Sequence, residues 1–333
     1  MIQTLMHRWE RNLSKRDTNR TTLPFDWGLD FLGLPVNDSA KDAIVQFNKE
    51  TIAESAEYFA HQTRDFHLHD ETLEYKSSIE SPYEVNNLAR CRIFRPKYPR
   101  ESAVVVLPQW NANHTSHVAL CQLLAKLGIT TLRLLLPYHE ERNPSGPRAD
   151  YMVSPNVGRT IQAIRQAVTD ARNAADWLQI QGFTRIGIMG TSVGSCISFL
   201  AFVHDERFRV GVFNHVSSYF GDVVWHGIST QHVRRGIEPV LSKEELHDAW
   251  AVISPNSYVS RLRQSNIRKQ LLISARYDLT FPPDLSRLLF EEHKRHEIPF
   301  DLSFLPCGHY TSALTPFKHR VGYLIAKYFR KHL

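Results

Sequence analysis

Residues Gly190-Thr191-Ser192-Val193-Gly194 set a serine between two glycines at the spacing G-x-S-x-G. In a sharp strand-to-helix turn this spacing lifts the hydroxyl away from a sheet. The N-terminus of the next helix then favours a developing oxyanion. A serine is a weak nucleophile until a base takes its proton, and the base needs an acid to orient it. With 17 histidines in the chain, a histidine alone says little. His309 stands out by position, in Leu305-Pro306-Cys307-Gly308-His309-Tyr310, after the last predicted strand and before the last predicted helix. Asp278 follows the strand before that, in a stretch ending Phe281-Pro282-Pro283. The order is Ser192, Asp278, His309, with steps of 86 and 31 residues.

These residues need a scaffold that brings three loops to one end of a sheet. Residues 65–80 and 87–95 alternate polar and apolar, the pattern of half-exposed antiparallel strands at a sheet edge. From residue 102 the pattern changes to continuous apolar runs separated by amphipathic stretches. The spacing predicts strands at 103–107, 129–136, 185–189, 208–213, 269–274 and 300–305. It predicts helices at 116–127, 159–181, 193–203, 282–295 and 316–331, the last opened by Thr315-Pro316. Repeated strand-helix alternation implies an α/β fold: one mostly parallel sheet with helices on both faces. About 55 residues separate the strands at 208–213 and 269–274, more than a crossover needs. Residues 217–255 therefore read as a cap inserted over the sheet, with a helix start at Ser242-Lys-Glu-Glu245. Its Phe220 and Trp225 are the expected wall of an acyl pocket, with Trp250 in the same cluster. Residues 1–62 read as a helical extension on a catalytic domain of 63–333, carrying surface to bury and no chemistry.

Composition narrows the class. The chain of 333 residues is 42% hydrophobic and 22% charged, which excludes a disordered or fibrous protein. No apolar run reaches the roughly 18 residues of a membrane span, and the charged start lacks a signal peptide's apolar stretch, so the expected location is cytoplasmic. The four cysteines (Cys91, Cys121, Cys196, Cys307) have no metal or disulfide spacing and read as buried thiols. The net charge of +6 is concentrated at the C-terminus, where residues 302–333 hold five Lys and Arg and no acid. Such a helix invites at most weak contact with anionic surfaces. Its apolar face favours docking on the domain, and no nucleic-acid partner is expected.

From about residue 65 onward the chain resembles the α/β-hydrolase superfamily. The serine turn, the acid after the penultimate strand and the Gly-His after the last one carry the likeness. The loop Pro137-Tyr-His-Glu-Glu-Arg142 and the Asp278-x-x-x-Pro-Pro stretch look most like the branch of acetyl-xylan esterases, dienelactone hydrolases and acyl-peptidases. The resemblance implies Ser192 as nucleophile, Asp278 as orienting acid and His309 as general base, with no cofactor and a small-molecule ester as substrate. Asp222 and Asp248 are alternative acids. The chain departs from the family at Pro108-Gln109-Trp110-Asn111, where a His-Gly or Gly-Gly usually offers half of the oxyanion hole. Val193 N–H is the expected first donor. Trp110 or Gln109 N–H is the second, with the Asn111 amide as a substitute that could also touch substrate.

Other groups invite chemistry and are read as structural. His114, His117, His139 and Glu140 are loop and helix residues rather than metal ligands, and Cys307 is a small hydrophobe. Arg142 is either a substrate-carboxylate anchor or a solvated loop arginine. The competing functions are an acyl-peptidase with the same three residues and a silent ligand-binding homologue. Peptidases of this kind gate the site with a large domain that 62 residues are too few to build. A silent homologue would be expected to have lost Ser192, Asp278 or His309.

Overall fold

The computed structural model describes residues 2–18, 20–35, 39–62, 65–264 and 268–333. The expected boundary at 62/63 adjoins residues 63 and 64, which lie outside the described residues. Among the described residues the strands are β1 (His67–His69), β2 (Thr72–Lys76), β3 (Leu88–Phe94), β4 (Ser102–Leu107), β5 (Thr130–Leu134), β6 (Arg185–Thr191), β7 (Phe208–Asn214), β8 (Lys269–Ala275) and β9 (Asp301–Leu305). They form one nine-stranded sheet in the order β1-β2-β3-β5-β4-β6-β7-β8-β9. Pairing is antiparallel from β1 to the β3–β5 contact and parallel from β5 onward. The alternating segments thus form the half-exposed edge and the apolar runs the covered centre.

The helices are α1 (Ile2–Ser14), α2 (Ala40–Ala53), α3 (Ser55–Tyr58), α4 (Val118–Lys126), α5 (Val157–Ile180), α6 (Val193–His204), α7 (Phe220–His226), α8 (Gln231–Ile237), α9 (Lys243–Ala249), α10 (Pro283–Arg295) and α11 (Phe317–His332). β4 shows why its run is continuously apolar. Ala103, Val105 and Leu107 pack with α5 and α6 on one face, whereas Val104 and Val106 pack with α4 and α11 on the other. The last helix begins at Phe317 with Pro316 at its N-cap, so Thr315 is not its cap.

Residues 217–255 contain α7, α8 and α9. The expected helix start is a full capping box, with Glu245 N–H on Ser242 Oγ (3.2 Å) and Ser242 N–H on Glu245 Oε2 (2.7 Å). The Asn48 side chain of α2 donates to Asp248 O and Ala249 O at 2.7 and 2.8 Å, tying the N-terminal segment to these helices. Trp250 is fully buried, with its indole N–H on Val157 O (3.2 Å), and so serves the core.

Candidate active site

The serine turn needs both of its glycines for space. A Cβ at Gly190 would lie 1.9 Å from Gly194 O, and one at Gly194 would lie 2.3 Å from Pro108 O. The loop after β4 therefore presses directly on the turn. Ser192 takes φ 58° and ψ −125°, and its N–H is held by Asn214 O of β7 (2.9 Å). That conformation is strained for a residue with a Cβ, and the two neighbouring strands hold it in place.

The structure brings the three expected residues together. His309 Nε2 is 3.0 Å from Ser192 Oγ, and His309 Nδ1 is 3.0 Å from Asp278 Oδ2. Asp278 Oδ1 accepts the N–H groups of Thr280 (2.8 Å) and Phe281 (2.7 Å). The Phe281 ring stacks on His309 at 5.2 Å, fixing its plane. Burial alone would lower the His309 pKa. The charge and hydrogen bond of Asp278, with Glu10 behind, carry it above its ordinary value. Burial works against ionised Asp278 too, but the two imidazoles it faces, His309 and His215, hold its carboxyl far below the ordinary range. Asp222 instead pairs with His247 (3.1 Å).

For a developing oxyanion, Val193 N–H sits at the first turn of α6, and the Gly194–Pro108 contact brings Gln109 and Trp110 beside it. Among the described residues none of these three N–H groups has a hydrogen-bond partner. Two groups of Asn111 are committed elsewhere. Its N–H donates to His139 Nε2 (2.9 Å), and its side-chain oxygen accepts Ala149 N–H (2.8 Å). Trp110 is anchored by its indole N–H on Ala149 O (2.8 Å) and by stacking on His232 of α8 at 5.6 Å.

Two cavities meet at Ser192. The larger, about 800 Å³, is lined by Gln109, Asn111, His309, Arg148 and Lys318. The smaller, about 30 Å³, is lined by Val193, Trp110, Phe220, Val223 and Phe281. Trp225 lines neither: its ring is covered by the Arg234 guanidinium at 4.7 Å. Both readings of Arg142 are overturned. It is fully buried, pairs with buried Asp170 at 2.9 Å and donates to Leu135 O and Asn86 O. A loop arginine looked solvated because its partner lies in a helix 28 residues downstream.

Of the groups weighed as metal ligands, His139, His117 and Glu140 have other partners. His139 donates from Nδ1 to Pro137 O, His117 Nε2 meets Thr191 Oγ1 (2.9 Å), and Glu140 pairs with Arg133. Cys307 is buried, and burial pushes its thiol up to about 12, far from a reactive thiolate.

Two residues at the site escaped the sequence reading. Glu10, fully buried on α1, accepts Tyr310 N–H (3.0 Å) and Thr311 N–H (2.8 Å) and so buttresses the loop of His309. The N-terminal segment therefore serves the site, against the expectation that it carries only surface to bury. His215, just after β7, places Nδ1 2.9 Å from Asp278 Oδ2, and its Nε2 lies 3.0 Å from Ser312 Oγ. No motif marks these positions, although a histidine directly after a central strand is a weak positional cue.

No family model and no curated relative matches the chain. Its backbone is similar to that of the Pyrococcus horikoshii acylaminoacyl peptidase, with TM-score 0.60 and 16% identity over 84% of this chain and 43% of that one. This chain thus spans about two fifths of that peptidase's length. It is similar to the acetyl xylan esterase from Paenibacillus sp. R4, with TM-score 0.60 and 15% identity over 90% and 96% of the two chains. It is also similar to a Pyrococcus furiosus esterase, with TM-score 0.54 and 13% identity over 81% and 92%. The expected resemblance thus holds at the level of architecture: the chain has the α/β-hydrolase fold of esterase, lipase and acyl-peptidase structures.

Proposed function

We propose that the protein is a serine hydrolase cleaving a carboxylic ester of a short acyl group through an acyl-enzyme. The observation that carries this is the continuous chain Ser192–His309–Asp278, with both links at 3.0 Å, facing unpaired N–H groups. His309 takes the Ser192 proton as Oγ attacks the carbonyl carbon. The carbonyl oxygen becomes an oxyanion against Val193 N–H and the Gln109 or Trp110 N–H. His309 then returns the proton to the departing alkoxide, leaving acyl-Ser192, and a water activated by the same base completes hydrolysis.

The cavities suggest which end of the ester lies where. The leaving oxygen must sit within reach of His309 Nε2, and the cavity that His309 lines is the large one. The acyl chain then occupies the small slot, which touches Ser192 and Val193 and is not lined by His309. At about 10–15 Å³ of cavity per water, about 30 Å³ is room for roughly two waters or a short alkyl group. That favours short acyl groups on a bulky alcohol. It disfavours the acyl-peptidase reading, whose acyl part is an entire N-blocked residue. Labelling by a fluorophosphonate, lost in Ser192→Ala, tests the nucleophile. Hydrolysis of 4-nitrophenyl esters from acetate to octanoate tests the slot, with the shortest esters expected to be fastest.

A further inference from the structure

His215 is about 1% exposed, takes φ 61°, and is pinned through its own N–H to Ile273 O of β8 (2.8 Å). A left-handed backbone at a buried histidine is costly and persists only where the surroundings enforce it. The acyl-transfer steps make no use of this residue, yet its ring centroid lies 4.6 Å from that of His309.

Counting donors and acceptors assigns its protons. Asp278 Oδ2 faces two imidazole Nδ1 atoms, at 2.9 Å (His215) and 3.0 Å (His309). An ionised carboxylate only accepts, so both rings must donate Nδ1–H to the same oxygen. In neutral His215, Nε2 is then an acceptor facing Ser312 Oγ at 3.0 Å. Ser312 has one proton and two claimants for it, His215 Nε2 and His309 O at 2.6 Å. If His215 gains a proton, the conflict ends: Nε2–H donates to Ser312, and Ser312 donates to His309 O. The titratable groups facing His215 are Asp278, His309 and, from α1, Glu10. Burial keeps His215 neutral near neutral pH.

Resting on the serine-hydrolase reading, we propose that His215 is a positioning residue: it shares Asp278 with His309, tempers the basicity of His309, and so sets the pH at which the base becomes competent. Asp278 divides its negative charge among two imidazoles and two amides, and less of it supports the His309 imidazolium. Without the His215 donor the carboxylate would hold the proton on His309 more strongly.

The test is the rate of fluorophosphonate labelling of the full chain between about pH 5 and 9. In His215→Leu the acid limb should move up by about one pH unit, slowing labelling about tenfold on the limb while leaving the alkaline plateau within a few-fold of the wild type. In His215→Asn, whose amide keeps a donor for Asp278, the limb should return most of the way. A limb that stays in place or moves down in His215→Leu overturns the proposal, as does a loss that is uniform across pH, the mark of a purely structural role. Should His215→Leu fail to fold, the strongly downfield proton NMR region of the wild type decides. Two carboxylate-bonded imidazole N–H signals are expected, with one lost in His215→Asn; a single signal overturns the proposal. That spectrum stands even if the wild type is not labelled, an outcome that would count against the serine-hydrolase reading alone.

Discussion

Glu10→Ala tests whether α1 holds the base in place. The carboxylate is fully buried and accepts two backbone N–H groups from the loop that carries His309. A Cβ at neighbouring Gly308 would lie 2.3 Å from Glu10 Cδ, so the contact is tight as well as polar. Hydrogen bonds to a charged acceptor are each worth about 1.5–3 kcal/mol, and the two N–H groups would be left without it. Water entering the space offsets part of the loss, so about 2–4 kcal/mol is expected. At about 2 °C per kcal/mol for a large domain, the melting temperature should fall by about 4–8 °C. The catalytic effect should exceed what stability explains. A base misplaced by an ångström costs about 100-fold. Fluorophosphonate labelling well below the melting temperature should therefore slow by about 10- to 100-fold. In Glu10→Gln the side-chain oxygen keeps one acceptor, so about half of the loss should return. A Glu10→Ala protein that melts lower but labels at the wild-type rate would refute the reasoning and reduce α1 to packing.

Three further outcomes follow from the geometry. Phe220→Ala, which widens the small slot, should shift the preferred ester by one or two methylenes, each worth about 0.8 kcal/mol, whereas Trp225→Ala should leave the chain-length profile unchanged; a matched hydrolysis series on the two variants checks this. Asn111→Ala should lower kcat by less than about tenfold, because the unpaired backbone N–H groups of Val193, Gln109 and Trp110 are placed to meet the oxyanion; a loss of about 10²–10³ would make the Asn111 amide the donor. Because Asp278 and Glu10 lift the His309 pKa against burial, and His309 must be neutral to take a proton, kcat/KM should rise with pH through a midpoint above about 6.5; a midpoint well below that value contradicts the charge balance described for the site.

What was legible in the sequence was local. Gly190 and Gly194 mark the serine turn because no side chain fits at either position, and Asp278 and His309 can be found because each follows a strand at the same sheet end. The alternation at 87–95 and the run at 103–107 distinguish edge from centre because their side chains meet solvent on one face or on neither. What was not legible depends on partners distant in the chain. Glu10 meets a loop about 300 residues away. Arg142 looks solvated until α5 brings Asp170 against it. His215 is one histidine among 17 until β7 and β8 set it against Asp278. Trp225 belongs to an aromatic segment whose apolar content was evident, but which face of α7 it occupies follows only from how the helix packs. Val223 and Phe220 reach the slot, while Trp225 turns to Arg234.

The most direct measurement is fluorophosphonate labelling of the wild type beside Ser192→Ala, read by intact mass. The wild type should gain one phosphonyl group, mapped to the peptide containing Ser192. Ser192→Ala should gain none, keep its melting temperature, and lose about 10⁴–10⁶ of kcat on 4-nitrophenyl acetate. Labelling that persists in Ser192→Ala, or a folded wild type that is neither labelled nor active on any ester of the series, would contradict the assignment of Ser192 as the nucleophile.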